Sequence, residues 1–158
     1  MQPHYLFPHK YKKLGWIILI PALLIGAPVF FTNYEPDWLT FRMPALITEE
    51  LLGSVKLFTM VENNIMGELI GITLIVGALL VAFSKQDQED EMIAKIRLES
   101  LVWAVYFNYA ILLFAVIFVF DFAFLYVMLI NIVTILLFFI IRFHWQIAKL
   151  NKTTRYEE

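Results

Sequence analysis

Cysteine is missing from this chain, and with it go disulfides, thiol catalysis and thiolate metal sites. Charge is scarce too: Asp, Glu, Lys and Arg supply 16% of the residues, where soluble proteins carry about a quarter. The net charge of -2 lacks the basic excess that a nucleic-acid binder concentrates on one face. The sequence contains no G-x-x-x-x-G-K-[ST] run to cradle phosphates, no G-x-S-x-G elbow and no His-Glu-x-x-His pair. His4, His9 and His144 have no carboxylate beside them at metal-ligand spacing. No catalytic residue, cofactor or metal ligand is therefore assigned, and the chain reads as a non-enzyme.

What is present is apolar. Hydrophobic residues make up 61% of the 158 positions and the mean hydropathy is +0.74, more apolar surface than a soluble domain of this size could hide. Four uncharged runs stand out, at 15–31, 69–84, 101–120 and 122–141. A membrane-spanning helix needs about 20 residues. The last two runs qualify directly, and the second does so when Met66, Gly67 and Glu68 supply its first turn. Asp121 alone separates the third and fourth, so a tight reversal is expected there. The first run has the basic flank of a signal peptide, but Pro28 follows Gly26-Ala27 and no clean cleavage site precedes the polar stretch. It is expected to stay as an anchor.

The expected fold is all-α and integral to the membrane: a single domain over 1–158, with spans at about 15–31, 66–84, 101–120 and 122–141. Ten of the twelve basic residues fall in the tail before the first span, between the second and third, and after the fourth; only Arg42 and Lys56 lie elsewhere. The positive-inside rule then places both termini in the cytoplasm. Trp16, Trp103 and Trp145 all fall at the inner boundary that this topology defines, where indole rings prefer to sit. Residues 32–65 form an outer cap, too apolar for a free loop. With Pro36 and Pro44 each suited to a first helical turn, the cap is expected to hold short amphipathic helices lying in the interface plane. Between the second and third spans, 87–100 reads as a cytoplasmic helix with acids first and bases later. Continuous with the third span as far as Phe120, it would be about 50 Å long.

Two stretches, 7–16 (FPHKYKKLGW) and 90–100 (DEMIAKIRLES), resemble small, uncharacterised bacterial multi-span membrane proteins in which an Asp-Glu pair and an Ile-Arg pair precede a span. The resemblance covers about an eighth of the chain. It implies a bacterial cytoplasmic, or inner, membrane and carries over no activity.

The remaining candidates are polar or small residues. Glu91 and Lys95 form a favourable i,i+4 pair. Arg97 has only Ile93, Ala94, Ser100 and Leu101 one turn away, so its guanidinium is expected to meet lipid phosphate, or a carboxylate on a partner or on the Glu157-Glu158 tail. Glu91, Lys95 and Arg97 are thus the candidate partner-binding residues. Within the spans Asn108 and Thr134 are expected at similar depth, with Asn131 one turn away. An interhelical hydrogen bond is the plain reading and a polar solute path the other. Ala22-x-x-x-Gly26 and Gly67-x-x-x-Gly71 have the small-residue spacing that lets helices approach, and are expected to pack the first two spans together. The resulting functional expectation is an interaction or regulatory subunit, held in the lipid bilayer and bound to a protein partner or to further copies of itself through its cytoplasmic helix or outer cap. A small oligomeric channel or carrier using Asn108, Asn131 and Thr134 is the alternative.

Overall fold

Helices follow the apolar runs, and the first helix continues through Pro21 and Pro28. The computed structural model of the chain describes residues 6–49 and 55–156. Its elements are α1 (Lys10–Thr32), a 3-10 turn (Asp37–Leu39), β1 (Thr40–Glu49), β2 (Val55–Asn64), α2 (Met66–Ala82), α3 (Glu91–Phe118) and α4 (Asp121–Tyr156). Among the described residues three helices, α1, α3 and α4, are long and apolar enough to cross a membrane. At 17 residues, α2 is about 26 Å long, slightly short of a hydrocarbon core of about 30 Å.

The fold divides into two compact units, one made of 21–73 and the other of 1–20 with 74–158. In the larger unit α3 starts where Asp90 caps it, the carboxylate accepting from the Ile93 amide at 2.8 Å and satisfying one of the free amides of the first turn. The helix therefore begins at Glu91 rather than Asp87, and 83–90 is a folded connection. At the far end Val119 is extended and closes α3 onto the Ala115 carbonyl; α4 begins at Asp121, which makes the reversal expected there. The longest helix is α4. The helical extension expected on the third span is present over 91–100, and the 36 residues of α4, about 54 Å long, carry a second, unexpected one well past Ile141.

Aromatic layers fill the space between the helices of this unit. Phe83 stacks on Phe139, Phe139 on Phe143 and Phe107 on Phe138, while Leu19, Ala78, Val81, Ala104 and Ala115 are buried. α1 and α2 touch through glycines. A Cβ on Gly15 would lie 2.8 Å from the Val81 amide nitrogen, and one on Gly77 would lie 3.0 Å from that of Leu19. The expected contact through Gly67 and Gly71 is not made: a Cβ at either meets nothing within 4 Å. Ala22 and Gly26 are buried, but the close approach belongs to Gly15 and Gly77. A single glycine facing a backbone suffices for it, and no paired small-residue spacing marks such a position.

The smaller unit corrects the cap. Instead of surface helices, β1 and β2 form an antiparallel hairpin paired from Thr40↔Asn64 to Glu49↔Val55. Alternation decides this. Phe41, Met43 and Ile47 occupy every second position or nearly so and pair in register with Asn63, Val61 and Leu57, a period of two that no helix can present on one face. Pro44 sits in β1, tolerable because each strand of a two-stranded ribbon is an edge strand. Residues 50–54, which include Glu50, Leu51 and Leu52 of the expected cap, lie outside the described residues.

Candidate functional site

Three clusters hold the residues singled out above. The first is ionic and lies beside the connection between α2 and α3. Arg97 is 8% exposed; its Nη2 donates to Glu89 Oε1 at 2.7 Å and Oε2 at 2.9 Å, and its Nη1 donates to the Ser84 carbonyl at 3.4 Å. The guanidinium lies over the Phe143 ring, 4.9 Å from its centroid, a cation–π contact. Glu89 also accepts the Gln86 amide at 2.9 Å. The carboxylate expected on a partner or on the tail is therefore supplied by the chain's own connection. Neighbours at i±3 and i±4 could not reveal it, because Glu89 precedes the helix and folds back onto it. Arg97 belongs to the buried face of α3 with Ile93 and Ser100, whereas Glu91 and Lys95 are exposed on the other face.

The segment before α1 is tied to the same connection. Phe7 bridges Ser84 in parallel, with the Phe7 amide donating to the Phe83 carbonyl and the Lys85 amide to the Phe7 carbonyl, both at 2.9 Å. His9 Nδ1 lies 2.9 Å from the Lys85 carbonyl and Nε2 lies 3.0 Å from Asp87. Lys12 donates to Gln86 at 2.7 Å. These are structural ties between elements. Among the described residues no group of three or more His, Asp or Glu side chains gathers as a metal site. His144 packs edge-on against Trp16, and His4 lies outside the described residues.

The second cluster pairs α3 with α4. Asn108 Nδ2 donates to Asn131 Oδ1 at 2.9 Å, and Asn131 Nδ2 reaches back to the Asn108 carbonyl at 3.4 Å. Thr134, expected opposite Asn108, instead donates to the Ile130 carbonyl of its own helix at 2.9 Å. The partner is thus the residue one turn away. Counting residues from the reversal places depth only to within about a turn, since the rise is 1.5 Å per residue and the reversal itself has length.

The third is the hairpin. Its root is tied to the 3-10 turn and the residue before it, the Ile65 amide donating to the Leu39 carbonyl at 3.1 Å and Asn64 Nδ2 to the Pro36 carbonyl at 2.7 Å, and to α2, Asn63 Nδ2 donating to Glu68 at 2.7 Å and the Met66 amide to Asn64 Oδ1 at 3.1 Å. Arg42 and Glu62 pair across the strands at 2.9 Å. Further out, Leu46, Ile47, Leu57 and Phe58 are all exposed. These residues fall within the stretch 32–65 read from the sequence as an apolar cap, which gave them no face; the period of two was the signal that would have done so.

Three helices of this length and hydropathy are compatible with an α-helical membrane protein. Comparison of the chain with family models, curated proteins and solved structures yields no match in any of the three.

Proposed function

We propose that the protein is a non-enzymatic membrane subunit that acts by contact, and that the contacting element is the hairpin. In this reading α2 is a fourth span, both termini face the cytoplasm of a bacterial inner membrane, and the hairpin is extracytoplasmic; the ten-to-two distribution of Lys and Arg supports that orientation. The observation that carries the proposal is the exposure of Leu46, Ile47, Leu57 and Phe58 on a ribbon of only two strands. Such a hairpin is marginal alone in water, and apolar side chains this exposed favour a covering surface. The Arg97 face of α3 is the weaker candidate because Glu89 and Phe143 already occupy its guanidinium. The channel alternative loses support for a similar reason: Asn108 and Asn131 bond to each other and Thr134 to its own helix.

The test is position-specific photocross-linking in native membranes. A benzophenone attached through Ile47→Cys or Leu57→Cys should form an adduct, with a partner protein or with lipid acyl chains, and one at Lys95→Cys on the exposed face of α3 should not. Adducts from Lys95→Cys alone would transfer the contact to the cytoplasmic helix.

A further inference from the structure

Both edges of the hairpin are blunted near the middle. Pro44 has no N–H to offer a third strand, and Phe58, at φ 53°, leaves the extended region where β2 passes Leu46, so the ladder skips that pair. Strand addition is therefore disfavoured on either side, which leaves the two faces of the ribbon.

In the distal half those faces are alike. Ile47 and Leu57 pair on one, 71% and 65% exposed; Leu46 and Phe58 hold the matching register positions of the other, 67% and 82% exposed. A docked protein covers one face of a ribbon, whereas a fluid apolar medium meets both. The proximal half mixes the Arg42–Glu62 ion pair and the Asn64–Thr40 and Asn63–Glu68 bonds with exposed Phe41, Met43 and Met60, so its faces are divided between polar and apolar groups. Finally, the hairpin is continuous with apolar helices, since Ile65 alone separates β2 from α2.

We infer that the distal half of the hairpin is a lipid contact, seated at the boundary between headgroups and acyl chains of the bilayer that holds α1 and α2. The inference rests on the reading of the hairpin as the contacting element and names what it contacts. The seat is shallow. Strand edges with unpaired amides and carbonyls are not tolerated in hydrocarbon, but at the boundary water and headgroups satisfy them while side chains reach about 5–10 Å inward. The apolar surface of α1 and α2 thereby continues onto the ribbon.

The absence of cysteine makes single-site labelling direct. The full chain is reconstituted in phosphatidylethanolamine–phosphatidylglycerol vesicles with an environment-sensitive fluorophore on Leu46→Cys, Ile47→Cys, Leu57→Cys or Phe58→Cys, with Glu62→Cys as the proximal reference and Leu113→Cys on α3 as the check of insertion. Brominated acyl chains are placed in the host bilayer, or in added protein-free vesicles, and iodide is added to the water. The expected result is loss of fluorescence to host-bilayer bromine at all four distal positions, with iodide quenching Glu62→Cys alone. Quenching only by the added vesicles overturns the assignment to the host bilayer. Distal labels shielded from both bromine and iodide mean that a protein, or a second copy of the chain, covers the hairpin; the lipid is then wrong and the contact reading survives. Iodide quenching at the distal positions equal to that at Glu62→Cys overturns both.

Discussion

Glu89 and Arg97 form a buried ion pair in which one guanidinium nitrogen holds both carboxylate oxygens, at 2.7 and 2.9 Å. Their side chains are 11% and 10% exposed, so water does little to screen the pair. Through Ser84 and Phe143 the same guanidinium also reaches the connection after α2 and the side of α4.

Breaking such a pair from one side leaves a buried charge uncompensated, at a cost of about 3–5 kcal/mol. Glu89→Gln and Arg97→Met should each lower the thermal midpoint of the detergent-solubilised protein sharply. The double variant Glu89→Leu with Arg97→Met should recover most of the loss, because no charge remains unpaired. Arg97→Lys should fall between, keeping the charge but losing the planar group over Phe143. Thermal unfolding of the four variants checks the order, and a double variant no better than the worse single one overturns the pairing.

The part of this site that could be read beforehand was its helix. Acids at 87–91 ahead of an apolar run mark a helix start, and Asp90 is the cap; Glu89 could not be placed as Arg97's partner because its position depends on how eight residues of connection fold, which has no periodicity. The reversal at Asp121 was legible because 40 apolar residues cannot form one span. The hairpin was not, because attention to Pro36 and Pro44 as helix starts obscured the alternation of Phe41, Met43 and Ile47. Pro44 is compatible with an edge strand as well as with a first helical turn, and only the period on either side of it separates the two.

Glycine substitutions should separate the observed helix contact from the expected one. At Gly15 a new Cβ collides with the Val81 backbone at 2.8 Å, and at Gly77 it crowds that of Leu19; backbone cannot move aside as a flexible side chain does. Gly15→Leu and Gly77→Leu should reduce the yield of folded protein severely. Gly67→Leu and Gly71→Leu should leave it near wild type, since open space surrounds both. Monodispersity by size-exclusion fluorescence is the readout, and severe loss at Gly67 or Gly71 would contradict the packing.

The Asn108–Asn131 pair should behave as a modest interhelical bond. Such bonds contribute about 0.6 kcal/mol on average in membrane proteins and seldom exceed about 1.7. Asn131→Leu should destabilise within that range, and Thr134→Val should have a smaller effect, because the hydroxyl serves only its own helix. In a double-mutant cycle of Asn108→Leu and Asn131→Leu the coupling should be measurable, while that of Asn108→Leu with Thr134→Val should be near zero. Reversal of those two couplings would restore Thr134 as the partner.

Orientation is tested independently of stability. On the proposed topology ten of the twelve basic residues lie on one side, so a reporter fused after Tyr156 should report cytoplasmic and one inserted at Thr59 should report extracytoplasmic. The Thr59 insertion falls within β2, so it reports location and not contact. A cytoplasmic signal at both positions means that α2, the short helix, fails to cross.

Phe58 brings stability and contact into opposition. It holds φ 53°, a left-handed conformation that costs an L-residue about 1–2 kcal/mol and that asparagine tolerates better. A bulky aromatic there is retained against local preference, and its 82% exposure shows that packing within the chain does not repay the strain. Phe58→Asn should therefore tighten the hairpin, slowing amide exchange in β1 and β2 by about fivefold for a gain of about 1 kcal/mol. The same substitution removes the largest exposed apolar side chain of the distal half, so cross-linking from Ile47→Cys should fall. A ribbon whose only task was to be stable would gain on both measures; opposite signs in exchange and cross-linking identify Phe58 as a residue held in strain for the surface it meets.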